Sequence, residues 1–323
     1  MTQQLSLKAQ ILESQFGKRL DKVLAELFPL YSRSQIKKWI LDKKVLVNGK
    51  IINKPTKKVF GSEHIAIDAV LKEDTSWQPQ KISLNIIYED DEILVINKPS
   101  GLVVHPGIGN QDGTILNALL YRYPESINIP RAGIIHRLDK DTTGLMVFAK
   151  TKTAQTYLVE VLRRREIIRE YEAIVNGCIR AGGSVHASIA RHPTQRTHMA
   201  IHQMGKPAIT HYRVMETFRA HTRLKLQLES GRTHQIRVHM AHINHPLFGD
   251  FVYGWRQRPL TGISEEFRQI IKNFNRQALH ATMLRLCHPI TGIEMEWQTD
   301  IPEDMMILIN LLKEDTMMHR NIR

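Results

Sequence analysis

Gly133-Ile134-Ile135-His136-Arg137-Leu138-Asp139-Lys140-Asp141-Thr142-Thr143-Gly144-Leu145-Met146-Val147 is the most informative segment of the chain. From His136 to Asp141 every residue but Leu138 is ionisable, and the run lies between two apolar segments, 133–135 and 145–149, that read as strands. A polar turn between strands ordinarily faces water. Here the flanks are long enough to be buried, which places the turn on the lip of a core, where a carboxylate can be held rigidly beside basic groups.

A second dense segment is Gly231-Arg232-Thr233-His234-Gln235-Ile236-Arg237-Val238-His239, after the strand-like run 224–228. One reading is a basic edge strand or an RNA-facing patch. The other is that one of its arginines pairs with a carboxylate of the first segment and keeps it ionised and oriented for nucleophilic work.

Around these segments the chain has 323 residues, 42% hydrophobic and 24% charged, the composition of an ordinary globular protein and not of a disordered, collagenous or coiled-coil one. The length allows two or three domains. Cys178 and Cys287 are too few for a disulfide framework or a thiolate zinc site, which fits a reducing compartment. With no apolar run of about 18 residues and no leader-like start, a soluble cytoplasmic protein is expected, with no membrane partner. The net charge of +13 points to a polyanion.

The charge is concentrated. Residues 18–58 carry 12 basic side chains against Asp21, Glu26 and Asp42, a net of +9. Leu20, Val23, Leu24, Leu27 and Phe28 form one helical face. Ser32 and Gln35 have capping-box spacing ahead of a second helix with Ile36, Trp39 and Ile40 on its apolar side and Arg33 and Lys37 together on another, Lys38 close by. Val45-Leu46-Val47, the turn pair Asn48-Gly49 and Ile51-Ile52 read as a tight hairpin. A charge run is often only a solvated face, but the order of elements over 16–68 resembles the S4-like RNA-binding module. That resemblance implies phosphate contacts by Arg33, Lys37 and Lys38 and a salt-sensitive affinity.

Segment 72–81, KEDTSWQPQK, is polar, contains Pro79 and shows neither periodicity. The expected division is an S4-like α/β domain at 16–75, a linker at 76–81 and a larger domain at 82–323. In the larger domain short apolar runs (84–87, 93–96, 171–175, 224–228) alternate with helical candidates (116–121, 154–163), a mixed α and β pattern. It has no glycine-rich phosphate loop, so nucleotide cofactors are disfavoured.

The two dense segments resemble the signature motifs of the RluA family of pseudouridine synthases, the first matching H-R-L-D-x-x-T-S/T-G-L and the second G-R-T-H-Q-I-R-V-H. Supporting matches are Asn97-Lys98-Pro99-Ser100-Gly101-Leu102, Arg169-Glu170-Tyr171-Glu172-Ala173, Gly249-Asp250 with Tyr253-Gly254, and Leu279-His280-Ala281. Details such as HPGIGNQDGTILNALL and RHPTQRTHMAIHQMGKPAITHYR are most similar to the members that act on large-subunit ribosomal RNA. The resemblance implies an α+β fold with a mixed, mainly antiparallel sheet. It makes Asp139 the catalytic aspartate, Tyr171 the active-site tyrosine and Arg237 the aspartate's partner, with Ile236 and Val238 flanking Arg237 on the core side of a strand. Arg137 would fill the gap left by a flipped base, with Arg232 and His234 also facing RNA. Isomerising uridine has no redox change, so no cofactor or metal is required, and a monomer acting on ribosomal RNA is expected.

Rival readings have their own signals. His239, His242 and His245 recur every third residue, but Pro246 limits a helix and no C-x-x-C or H-E-x-x-H accompanies them. Asp139 and Asp141 could pair on magnesium in a nuclease, although alternate residues of an extended turn point oppositely. A catalytically silent RNA-binding or ribosome-assembly factor would rely on the N-terminal module alone. Arg191, His192 and Arg196 are candidates for an RNA-gripping loop.

Overall fold

The computed structural model describes residues 2–29, 31, 33–72, 77–107, 109–195, 197–254 and 261–320. The chain divides into two compact units, Met1–Ser76 and Trp77–Arg323.

In the first unit β1 (Thr2–Gln10), α1 (Leu20–Leu27), α2 (Arg33–Leu41), β2 (Val45–Val47), β3 (Lys50–Ile51) and β4 (His64–Lys72) make a four-stranded sheet of order β1-β4-β2-β3 with two helices. Leu20, Val23, Leu24, Ile36 and Ile40 from the helices are fully buried with Val45 and Ile67 of the sheet. Asn48 (φ 49°) and Gly49 (φ 76°) form the left-handed pair that a tight β2–β3 turn requires. The unit starts earlier than residue 16, because β1 pairs antiparallel with β4 along its whole length, Thr2 opposite Lys72 and Gln10 opposite His64. Ser32, the proposed cap of α2, lies outside the described residues.

The second unit takes in most of the expected linker. Asn117 Nδ2 donates to the Gln78 carbonyl (2.8 Å), Gln80 N donates to the Asn117 carbonyl (3.0 Å), and Gln80 Oε1 accepts from Gly113 N (2.7 Å). Residues 77–81 are thus strapped to this unit, while Ser76 lies outside the described residues.

Its elements are β5 (Ile86–Glu89), β6 (Ile93–Lys98), α3 (Ile115–Arg122), β7 (Thr143–Ala149), α4 (Lys152–Arg163), β8 (Ile168–Asn176), β9 (Gly183–His186), β10 (Ile189–Arg191), β11 (Met199–Ile201), β12 (Ile209–Thr217), β13 (His221–Leu228), α5 (Gln235–His242), α6 (Glu265–Asn273), β14 (Leu279–Cys287), β15 (Glu294–Gln298) and α7 (Glu303–Arg320). The main sheet runs β5-β6-β7-β14-β8-β13-β12-β9, with β15 also on β14. It is antiparallel except where β7 meets β14 in parallel. Every residue of β7 is buried. Leu145, Val147 and Ala149 pack on Ala154, Leu158 and Val161 of α4, and Met146 and Phe148 pack on the α3 side with Leu116 and Leu120. A strand covered on both faces needs a continuous apolar run, which 145–149 supplies.

Residues 133–135 are not a strand. Arg131 (φ 56°), Ala132 (φ 50°) and Gly133 (φ 79°) are left-handed in succession, and Ile134 makes only an isolated bridge to Phe148. A Cβ on Gly133 would stand 1.9 Å from the Ala149 carbonyl oxygen, so only glycine lets this loop lie against β7. The apolar character of the segment reflects burial beside a strand. Similarly, 231–239 is not an extension of sheet: Gln235 opens α5 after the left-handed His234 (φ 55°).

Candidate active site

Asp139 sits in the loop between this left-handed turn and β7, and two buried cations pin that loop by its carbonyls. Lys98, at the end of β6 and 0% exposed, donates from Nζ to the carbonyls of Pro99 (2.7 Å), Leu102 (2.9 Å) and Lys140 (2.7 Å). Burial pushes its ammonium down to about 7, against the opposing pull of Asp141 and Asp139. Arg276 donates to the Asp141 carbonyl (3.3 Å) while Asp304 of α7 holds it at 2.6 and 2.8 Å. Gln277 Nε2 donates to Thr142 Oγ1 (2.9 Å), and the Thr142 amide closes the turn on the Asp139 carbonyl (3.1 Å).

The Asp139 side chain is 16% exposed. Its Oδ2 lies 3.2 Å from Arg237 Nη1, and Oδ1 lies 3.8 Å from His234 Nε2. Arg237 comes from the first turn of α5, where its neighbours Ile236 and Val238 are both buried. The guanidinium is itself held by Asp250, a fully buried carboxylate, at 2.7 and 2.9 Å. Asp250 Oδ1 also accepts from the amides of Val252 and Tyr253. Burial alone would lower the Arg237 pKa; the hydrogen bonds and charge of Asp250, with Asp139 added, raise it above its ordinary value. Arg237 is thus a fixed cation with one face left for Asp139.

Tyr253 joins the same cluster. Its ring lies 5.0 Å from the Arg237 guanidinium, and its hydroxyl accepts from Met199 N (2.8 Å) and meets His234 Nδ1 at 2.8 Å. With the hydroxyl proton given to Nδ1, the imidazole carries its own proton on Nε2, toward Asp139. Burial lowers the His234 pKa against the charge of Asp139, favouring the neutral ring.

Tyr171 projects from β8 into the largest core cluster, at 4% exposure, opposite Leu226 on one side and Ala281 on the other. Burial raises its pKa, with Asp139 adding to the effect and Arg169 opposing it. A phenol protonated in this way offers a ring face more readily than a base. Gly144 (φ 115°) allows β7 and β14 to meet beside the loop, since a Cβ there would lie 2.3 Å from the Ala281 carbonyl oxygen.

Asp139, Arg237 and Tyr171 are therefore brought together. His234 is partly buried beside them, whereas Arg137 is exposed on the loop that carries Asp139 and Arg232 is exposed with a long contact to the Pro207 carbonyl (3.4 Å). Among the described residues nothing occupies the Arg137 guanidinium. In the first unit Lys37 and Lys38 are exposed, and Arg33 is half-exposed but donates to the buried Asp21 (2.9 and 3.2 Å). Arg196 lies outside the described residues. Of the histidine series, His239 meets Thr210 and the Ala187 carbonyl and His245 meets the Asn176 carbonyl, while His242 is exposed. Lys98, Asp250, Tyr253 and Arg276 were not among the residues singled out from sequence as catalytic, although the first three lie in the supporting motifs.

This sheet, with an aspartate, an arginine and a tyrosine converging at its middle, is that of an RNA pseudouridylate synthase, and the chain belongs to that family. The pattern for RNA pseudouridylate synthase matches residues 92–242 and that for the S4 domain residues 18–65. The chain is 67% identical over 316 residues to Ribosomal large subunit pseudouridine synthase D of Yersinia pestis, covering 98% of this chain and 97% of that protein. It is 63% identical over 321 residues to the protein of the same name from Escherichia coli K12, covering 99% and 98%. Among solved structures, Human RNA Pseudouridylate Synthase Domain Containing 4 superposes with TM-score 0.55 at 25% identity, over 71% of this chain and 93% of that one. Human RNA Pseudouridylate Synthase Domain Containing 1 gives 0.52 at 28% identity, over 68% and 84%.

Proposed function

We propose that this chain isomerises specific uridines of large-subunit ribosomal RNA to pseudouridine, as a cytoplasmic monomer that needs no cofactor. The observation that carries the reading is the Asp139 carboxylate, partly open to solvent and fixed at 3.2 Å from an arginine that a second, buried aspartate immobilises. In the reaction the bond from N1 to the ribose C1′ breaks, the base turns, C5 bonds to C1′, and the C5 hydrogen is lost while N1 gains one. Asp139 acts on the nucleoside through Oδ1, the oxygen that Arg237 leaves free. Tyr171 supports one face of the base. Reaching Asp139 requires the uridine to leave its stack, and the exposed Arg137 fills the gap. Lys37 and Lys38, with Arg33 braced by Asp21, contact phosphates.

Purified protein is therefore expected to release tritium from large-subunit ribosomal RNA labelled at uridine C5, equally with and without a chelator. Asp139→Ala should bind that RNA and release none. Chelator-sensitive cleavage of the RNA, or binding by wild type with no tritium released, would overturn the reading. For Arg137→Ala, binding should fall more for a structured stem-loop than for an unstructured strand; equal losses would remove its gap-filling role.

A further inference from the structure

Among the described residues of the second unit three arginines are buried: Arg169, Arg237 and Arg276. Arg237 and Arg276 are each gripped by both oxygens of an aspartate. Arg169, at 6% exposure, is not: among the described residues none of its five side-chain donors has an acceptor, and its Nε is wholly occluded. The carboxylates beside it in β8 are already committed, Glu170 to Lys225 and Glu172 to Arg223. With Nε occluded and no carboxylate gripping the guanidinium, Arg169 is left with donors that an incoming acceptor could take up.

Its position says what arrives. Arg169 and Tyr171 alternate on β8 and face the same side of the sheet. A Cβ on Gly231 would lie 2.9 Å from Arg169 Nη1, so the segment leading to His234 leaves room for the guanidinium only because residue 231 is glycine. The charge of Arg169 is felt by both Tyr171 and His136. His136, three residues before Asp139, accepts the Val147 amide at Nε2 (3.2 Å), so its proton is on Nδ1, and Nδ1 is buried without a partner. Burial, with Arg169, pushes this histidine down to about 3, so it stays neutral. The interior next to the catalytic aspartate and tyrosine thus offers unspent donors from two residues, Arg169 and His136. It fits a ligand edge made of acceptors.

We propose that Arg169 is a further catalytic residue: it donates to a carbonyl of the flipped uracil, with His136 Nδ1–H supporting the same edge, and stabilises the base as it leaves the ribose. When the N1–C1′ bond breaks, its electron pair stays on the base, and the negative charge spreads to O2 and O4. A pre-placed cation on one of those oxygens binds the detached base more tightly than the nucleoside, which is the condition for lowering the barrier. If the carbonyl is O4, cytosine is also rejected, because its 4-amino group would set N–H against N–H.

This inference rests on the reading of the site as a uridine isomerase, and its test separates the two. Single-turnover rates and RNA affinity are measured for wild type, Arg169→Gln and Arg169→Lys on a stem-loop whose target nucleotide is uridine, 2-thiouridine or 4-thiouridine. Arg169→Gln should react on the order of 100-fold more slowly with its RNA affinity kept, and Arg169→Lys should recover part of the rate. One thio substitution should slow wild type yet slow Arg169→Gln no further, which names the carbonyl. The proposal is overturned if Arg169→Gln reacts at the wild-type rate, if its defect multiplies with both thio substitutions, or if it loses RNA affinity with an unchanged rate, the mark of a phosphate contact. Should Arg169→Gln not fold, wild type alone decides: indifference to both thio substitutions overturns the proposal. Wild type inactive on ordinary uridine would instead remove the isomerase reading.

Discussion

Two carboxylates flank Arg237, and they should fail in opposite ways when changed to the amide. Asp250 is fully buried, grips the guanidinium twice at 2.7 and 2.9 Å, and takes two backbone amides. Asp250→Asn turns an NH2 group toward N–H donors and leaves most of the Arg237 charge uncompensated, a loss of about 3–5 kcal/mol for breaking a buried pair. Asp139 has one contact to Arg237 at 3.2 Å, is 16% exposed, and its removal leaves Arg237 fully held by Asp250. Asp139→Asn should therefore change stability by less than about 1 kcal/mol. In urea, with a slope of about 1–3 kcal/mol/M, the Asp250 variant should unfold at a midpoint lower by at least about 1 M while the Asp139 variant stays near wild type. Tritium release should show the reverse order: none from Asp139→Asn and a reduced rate from Asp250→Asn, whose Arg237 is present but no longer aimed. Similar stability losses in the two variants, or an Asp250→Asn protein as stable as wild type, would show that Asp250 is not what holds Arg237.

Other outcomes follow from the same geometry. Replacing Lys37 and Lys38 by glutamine should weaken RNA binding and flatten the plot of log affinity against log salt by about 1 for each phosphate no longer neutralised, leaving the rate at saturating RNA unchanged; filter binding across potassium chloride concentrations measures this. Lys98 keeps its proton to about 7 when folded but to 10.5 when unfolded, so the unfolded chain binds more protons between those values and stability should rise with pH there. Urea midpoints of wild type and Lys98→Met from pH 7 to 10 should show wild type gaining on the variant, and a constant difference would contradict it. Gly133→Ala combines φ 79° with a Cβ 1.9 Å from the Ala149 carbonyl oxygen. It should cost more than about 1 kcal/mol and slow the reaction by shifting the Asp139 loop, both read by unfolding and tritium release.

The clusters around Asp139 and Arg237 were legible because polar residues packed between apolar ones mark a site wherever they fold, and the resemblance then joined two positions 98 residues apart. What the sequence concealed was mostly set by tertiary partners. Ile236, Val238 and Met240 alternate like a strand, but the helix is decided by left-handed His234 and by Gln235, whose side chain meets Ser230, the Arg232 amide and the Ile209 carbonyl. Leu5, Leu7 and Ala9 of β1 alternate with period two, yet the partner strand lies over 50 residues away, so nothing local fixes the pairing. Lys98 and Arg276 read as two more cations among 45; only burial against loop carbonyls separates them from surface charges. Spacing sets Arg33 on one helix face with Lys37, but no sequence pattern ties it to Asp21.

Asp139 of this chain is expected to make pseudouridine in large-subunit ribosomal RNA. The most direct measurement is a nucleotide-resolution pseudouridine map of that RNA from cells lacking the protein, complemented either with wild type or with Asp139→Ala. Specific pseudouridines should be absent without the protein, return with wild type and stay absent with Asp139→Ala. An unchanged map in its absence, or one restored by Asp139→Ala, would contradict the account.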